Sequence, residues 1–296
     1  MILVTGANGF VGRHVVDRLA ASGEKVRAMV RQPQDYTAPA GVEVVRGDVT
    51  QPETLAAAVA GIEKIVHAAA ITANLKEPYK GAYKAINATG TGNLMDAAAD
   101  AGVKRIVLVS GLGTKPDRDG TYMATRWGME EAVRQSGIPY VVIQPSVQFG
   151  DGAEFIAALA RLVKQSPVVP AMTSSHDKFQ PIWIEDVVTI VVKALTDDSL
   201  LGRGIAVGGP EYVTFRGVLE TILEAMGKKR ILAPLPVSLA KVQANLFAFL
   251  PKPPLTVATL ELFSFENATD LDSVEKNFGF QPRGFRQHLK EHGIAG

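Results

Sequence analysis

The chain contains no cysteine. Disulfides, thiolate nucleophiles and cysteine-ligated zinc or iron–sulfur centres are therefore excluded; a reducing compartment suits such a chain, and the cytoplasm is its expected location. Histidine is scarce. His14, His67, His176, His288 and His292 are the five, no H-E-x-x-H run occurs, and no metal site is assigned. Neither sign of charge dominates, with 31 Lys and Arg against 30 Asp and Glu for a net charge of +1. That balance speaks against nucleic acid as a partner. Long hydrophobic runs are missing too. The longest stretch free of Asp, Glu, Lys and Arg is residues 135–150, 16 residues broken by Gln, Ser, Pro and Gly. A bilayer span needs about 20 apolar residues, so the chain is expected not to span a membrane. Met1 runs directly into Ile2, Leu3 and Val4, and no targeting peptide is expected ahead of the first motif.

What is present is ordinary globular material: 296 residues, 47% hydrophobic and 21% charged. Such a length supports a core without covalent or metal staples and gives a soft expectation of two units. Short apolar runs at 2–5, 25–30, 42–46, 65–69, 106–110 and 140–144 read as strands. Amphipathic segments at 12–21, 53–61, about 83–101 and 122–135 read as the helices between them. Repeated strand–helix units with near-continuous Val/Ile strands predict an α/β fold, a Rossmann-type doubly wound parallel sheet covered on both faces. After Gly150 the rhythm changes. Residues 1–150 are assigned to a nucleotide-binding domain, to which about 180–210 returns, and 151–296 to a smaller, discontinuous C-terminal α/β lobe. Thr214 is expected to cap the helix that runs to Met226, without the Glu of a full capping box.

The sharpest local signal is V-T-G-A-N-G-F-V-G, residues 4–12. Gly6, Gly9 and Gly12 are spaced G-x-x-G-x-x-G between a strand and a helix, one residue wider in the first interval than the G-x-G-x-x-G fingerprint. The physics is shared: a tight turn, close backbone approach to a pyrophosphate, and a helix N-terminus with unpaired N–H groups. Thr5, Gly6, Asn8, Gly9, Phe10, Val11 and Gly12 are the candidate cofactor residues of this turn. The usual ribose-binding carboxylate is replaced by Arg31, 19 residues after Gly12. A guanidinium offers charge and donors to a 2′-phosphate, which favours NADP(H), with NAD(H) as the alternative and a solvated surface arginine as the bland reading. Asp48, followed by Val49, either accepts from the adenine amine or caps its own turn. Ala68, Ala69 and Ala70 are small enough to let a cofactor cross the sheet edge.

Several segments together resemble the extended or atypical short-chain dehydrogenase/reductases: T-G-A-N-G-F-V-G, G-D-V-T, residues 86–110, Tyr122 four residues before a basic side chain, P-Y-V-V-I-Q-P-S-V-Q-F-G and F-Q-P-I-W-I-E-D-V. The nearest likeness is to the group related to the nucleotide-binding accessory subunit of respiratory complex I, which includes bacterial epimerase- or dehydratase-like proteins. The resemblance covers residues 2 to about 285. It implies Tyr122 as acid/base, with Arg126 at the place of the lysine that binds nicotinamide ribose. Ser110 is implied as an auxiliary donor, because Gly111 holds the usual serine place. Asn87 matches the asparagine that supports the active-site helix and a relay water, while Pro145, Ser146 and Phe149 match the nicotinamide end. Gln144 replaces an arginine often found there. Arginine has a different reach and fork from lysine and cannot join a proton relay.

His67 reads as a hydrogen-bonded core histidine rather than a catalyst, and His176 as part of a polar loop that either covers the cofactor or is plain surface. Glu185 and Asp186 suit the start of a helix. Residues 237–250 leave few polar breaks and fit a buried helix, the roof over an apolar substrate, or a surface for a protein or a peripheral membrane contact. The expected activity is oxidoreduction of an apolar carbonyl or alcohol by a small-molecule substrate enzyme. The alternatives are a non-catalytic nucleotide-binding structural or regulatory module and a nucleotide-sugar epimerase/dehydratase-like enzyme. No oligomeric state is assigned.

Overall fold

The computed structural model describes residues 1–75, 77–116, 122–174, 178–240 and 257–294. The chain forms two compact units: Met1–Ile71 with Glu77–Gln144 and Val187–Ile205, and Thr72–Lys76 with Pro145–Asp186 and Ala206–Gly296.

The first unit is built on strands β1 (Ile2–Thr5), β2 (Val26–Val30), β3 (Glu43–Arg46), β4 (Lys64–His67), β5 (Arg105–Val109) and β6 (Tyr140–Pro145). With the later β10 (Arg203–Val207) they make a seven-stranded sheet of order β10-β6-β5-β4-β1-β2-β3. Pairing is parallel from β3 through β2, β1, β4 and β5 to β6, with Leu3 opposite both Arg27 and Ile65. This is the doubly wound parallel sheet that the strand–helix alternation predicts. β1 and β5 are buried along their whole length, which is why they read as unbroken apolar runs rather than alternating ones. Strand order reverses at β1, between β2 and β4, and ligands of open α/β sheets bind beyond the strand C-termini at such a point.

Helices α1 (Phe10–Ala21), α2 (Leu55–Val59), α3 (Gly90–Asp100) and α4 (Tyr122–Gln135) complete the windings. Leu3, Ile65, Leu94, Ile106, Met129 and Val142 are among the buried side chains of one core cluster. The expected single helix over about 83–101 is instead a π-helical turn, Lys84–Thr89, running into α3. The wider turn carries Asn87 inward, where it is fully buried. Such turns interrupt α-helices mostly at functional positions.

In the second unit, β8 (Val168–Thr173) pairs in parallel with β11 (Ile231–Pro236), and β7 (Gln148–Phe149) with β9 (Ile182–Trp183). Prolines at 170, 234 and 236 hide the first pair from a sequence reading, because proline is expected only at edges of sheets. A pair of two strands is all edge. Around these strands lie α5 (Glu154–Gln165), α6 (Ile184–Ala194, which crosses into the first unit), α7 (Phe215–Ala225), α8 (Val257–Glu261), α9 (Ser273–Phe278) and α10 (Phe285–His292). Phe179, Phe215 and Phe263 form an aromatic cluster with ring centroids 5.1–6.1 Å apart. The Thr214 hydroxyl accepts from the Gly217 N–H at 2.9 Å, capping α7 as its sequence position suggests. Most of 237–250, including Phe247 and Phe249, and His176 lie outside the described residues.

Candidate functional site

The turn between β1 and α1 is shaped by what glycine omits. Gly6 has φ +64, and a Cβ there would lie 2.8 Å from the backbone of Ala68 and Ala69. At Gly12 a Cβ would stand 2.1 Å from the Gly6 carbonyl oxygen. The Gly9 N–H donates to that same carbonyl at 2.8 Å. Only a chain without side chains at these places turns this tightly into α1, whose N-cap, Gly9, supplies no side-chain acceptor. The first-turn N–H groups and the positive end of the helix dipole are thus available to an anion. A cradle that Cβ atoms would fill fits a dinucleotide pyrophosphate. Asn8 is exposed and Phe10 and Val11 are half-buried on this turn, with Phe10 edge-on to His14.

Behind the turn runs a directed chain of hydrogen bonds. Thr91 Oγ1 donates to the Asn87 carbonyl at 2.6 Å, so it accepts from His67 Nε2 at 2.9 Å. His67 Nδ1 then carries no proton and accepts from Thr5 Oγ1 at 2.7 Å, while Thr5 Oγ1 accepts from the Ala69 N–H at 3.3 Å. Every role follows from the fixed carbonyl at one end and the fixed amide at the other. The imidazole is neutral, its pKa pushed down to about 3 by burial and then by the Arg126 charge. The core-histidine reading of His67 is the one the structure shows. Its sequence position gave no hint that it ties Thr5 and Ala69 to the π-turn.

At the adenosine end, Arg31 directly follows β2, is exposed, and makes no hydrogen bond or ion pair among the described residues. Asp48 Oδ1 accepts from the Thr50 N–H at 2.9 Å and the Thr50 hydroxyl at 2.8 Å, which is a local turn cap. Val49 is buried and packs where Gly90 has no side chain, a Cβ there falling 2.6 Å from Val49 Cγ2. Ala68, Ala69 and Ala70 are half-buried just beyond β4.

Tyr122 opens α4, nearly buried and edge-on to Tyr83 with centroids 5.3 Å apart. Arg126, 7% exposed, lies one turn on, on the same helix face. Its Nη2 donates to the Val109 carbonyl at 3.3 Å. Asn87 holds the neighbouring backbone: its Oδ1 accepts from the Ile71 N–H at 2.9 Å, and its Nδ2 donates to the Ile71 carbonyl at 3.1 Å and Thr125 Oγ1 at 3.3 Å. Ser110 does not join this group. Its hydroxyl donates to Glu130 Oε1 at 2.6 Å, and the fully buried Glu130 also accepts from Gln144 at 2.8 Å and pairs with Arg134 at 2.6 Å. Glu130 alone holds Ser110, and its own charge is met by Arg134 one turn along α4.

Pro145, Ser146 and Phe149 belong to the second unit. There the Ser146 N–H donates to the Val207 carbonyl at 2.9 Å and its hydroxyl to the Gln180 carbonyl. Phe149 is fully buried, edge-on to Phe285 and His288. A depression lined by Lys64, Lys104, Arg105, Leu195, Thr196 and Asp198 opens at the strand N-termini, the wrong end of the sheet for a nucleotide. Among the described residues no group of three His, Asp or Glu side chains is placed to hold a metal ion, and no helix is long and apolar enough to cross a membrane.

A parallel sheet with a glycine-rich turn at its switch point, and a tyrosine one helical turn from a basic side chain, defines a nucleotide-binding Rossmann protein. A family model described as NAD(P)H-binding matches residues 6–198. The chain belongs to that family, and its fold is shared with nucleotide-sugar epimerases. It is 30% identical to a (4-alkanoyl-5-oxo-2,5-dihydrofuran-3-yl)methyl phosphate reductase of Streptomyces griseus, over 100% of this chain and 99% of that one. It is 27% identical to an NAD(P)H azoreductase of Xenophilus azovorans, again over 100% and 99%. Among solved structures, a Thermus thermophilus UDP-glucose 4-epimerase in complex with NAD superposes with a TM-score of 0.65 at 22% identity, covering 92% of this chain and 96% of that chain.

Proposed function

We propose that the protein is an NAD(P)H-dependent oxidoreductase in which Tyr122 is the acid/base. The observation that carries this reading is the buried Tyr122–Arg126 pair on one face of α4, in the same unit as the glycine cradle. Two relatives matched along their full lengths are named as reductases, which supports it. A bound nicotinamide cofactor would supply or accept the hydride. The chain's own contribution is to hold the pyrophosphate on the turn at Gly6, Gly9 and Gly12, to give or take a proton at the Tyr122 hydroxyl, and to place the fixed charge of Arg126 beside it. Asn87, with both ends of its amide engaged, keeps the π-turn and α4 in register. Thr5, Val49, Ala68, Ala69 and Ala70 line the cofactor's path in this reading.

NADP(H) is the preferred cofactor in this proposal, because Arg31 offers a guanidinium uncompensated among the described residues where a carboxylate would repel a 2′-phosphate. The substrate is a small apolar molecule. Epimerase or dehydratase chemistry on a nucleotide sugar is the second reading; it would use the same tyrosine and return the cofactor to its starting state. A broad screen following NADPH absorbance at 340 nm separates the two. Stoichiometric NADPH consumption that Tyr122→Phe reduces at least a hundredfold is expected; turnover untouched by that change contradicts the role of Tyr122.

A further inference from the structure

Among the described residues the charge of Arg126 has no counter-charge. Among the described residues its guanidinium donates one hydrogen bond, to the Val109 carbonyl, and pairs with no carboxylate. Glu130, one turn further along α4, is taken up by Arg134, Ser110 and Gln144. A cation more than nine-tenths buried and left unpaired is costly, because water is removed and nothing replaces its field. The neighbouring hydroxyls are also committed. Ser110 donates to Glu130, and Thr114 donates to the Gly111 carbonyl at 2.6 Å.

Gly111 completes the picture. A Cβ there would lie 3.6 Å from Arg126 Nη2 and 3.8 Å from Nε, so the guanidinium edge borders the room that a side chain at 111 would enter. The donor facing that room is a fixed cation in place of a neutral hydroxyl. A neutral hydroxyl suits an oxygen that is about to be protonated. A guanidinium cannot give up its proton and stabilises an oxygen that stays negative.

We propose that Arg126, with the space left by Gly111, is an oxyanion-binding site, and that the substrate presents there a reacting oxygen of enolate type. Arg126 is then the specificity-determining residue of the site, and conjugated carbonyl compounds are its substrate class. This deepens the oxidoreductase reading and rests on it for the meaning of the site, but the binding of an anion can be measured without turnover.

The probe is 4-nitrophenol, whose phenolate is a delocalised oxyanion with its own absorbance. It is titrated with protein saturated with NADP⁺, and again with NAD⁺, at one pH unit below the phenol's pKa in solution. There about a tenth of the free probe is ionised, and a shift of one unit on binding raises the phenolate-to-phenol ratio about tenfold. At least that tenfold rise is expected with the parent chain, retained in part by Arg126→Lys and lost in Arg126→Met. Gly111→Asp is the second variant: its Cβ would meet nothing closer than the guanidinium at 3.6 Å, it sets a carboxylate beside that charge, and it is expected to raise Tm while abolishing phenolate capture. Absence of probe binding to the parent, binding as the neutral phenol, or equal ionisation in Arg126→Met and Gly111→Asp overturns the proposal. NADPH oxidation is followed separately, so phenolate capture without NADPH turnover contradicts the oxidoreductase reading alone.

Discussion

His67 should make a separable contribution to the loss of stability in mild acid. In the folded chain this imidazole stays neutral down to a pKa of about 3, against an ordinary 6.5 in the unfolded chain. Between those values the unfolded state binds a proton that the native state does not, so stability is unaffected above about pH 6.5 and is lost as pH drops. The slope for one proton is about 1.4 kcal/mol per pH unit, and the whole span amounts to roughly 5 kcal/mol. Other groups titrate in the same range and must be subtracted. His67→Gln does this, since its amide retains one donor and one acceptor between Thr5 and Thr91 but does not ionise. Urea unfolding of both chains at pH 7, 6, 5 and 4 is the assay. The variant is expected to be less stable at pH 7, and the gap between the two chains to close by about 1.4 kcal/mol per unit below pH 6. A gap independent of pH would refute the neutral, doubly bonded imidazole.

Removing the Asn87 amide with Asn87→Ala leaves the Ile71 N–H and C=O without their partners, and about 3 kcal/mol of stability should go with it; a thermal melt within 2 °C of the parent would contradict this. Arg31→Ala is expected to lower the ratio of NADPH to NADH affinity about tenfold or more, the worth of a charge-assisted contact. Equal affinities for the two cofactors in the parent would sink the assignment of Arg31. Gly111→Ser supplies a neutral hydroxyl on a Cβ in ordinary contact with the Arg126 guanidinium, and simple ketones should be reduced faster by this variant than by the parent in the 340 nm assay; no change would mean that residue 111 does not face the substrate.

The sheet was legible because parallel strands buried on both faces carry continuous Val and Ile, and because Gly6, Gly9 and Gly12 can be spaced that way at a strand–helix junction for few other reasons. Arg126 and Gly111 were visible as departures from the superfamily pattern. Their relation was not: residues fifteen apart meet only after α4 packs against β5, and no local periodicity encodes that contact. The π-turn was hidden for a similar reason, since its extra residue is bought by Asn87 bonding to Ile71 rather than by any helix propensity. Ser110 is the converse case. Its place after β5 suits a catalytic donor, yet a buried carboxylate on α4 claims its hydroxyl. β8 and β11 were obscured by their prolines.

Nucleotide binding at the glycine cradle is tested most directly by calorimetric titration of NADPH and NADH into the parent chain and into Gly12→Ala. The added methyl would stand 2.1 Å from the Gly6 carbonyl oxygen, so the turn must open by more than an ångström to admit it. The parent is expected to bind one cofactor per chain. Gly12→Ala should weaken that affinity at least a hundredfold while its circular dichroism keeps the α/β signature. Undiminished binding by a folded Gly12→Ala, or no binding by the parent, would contradict the account.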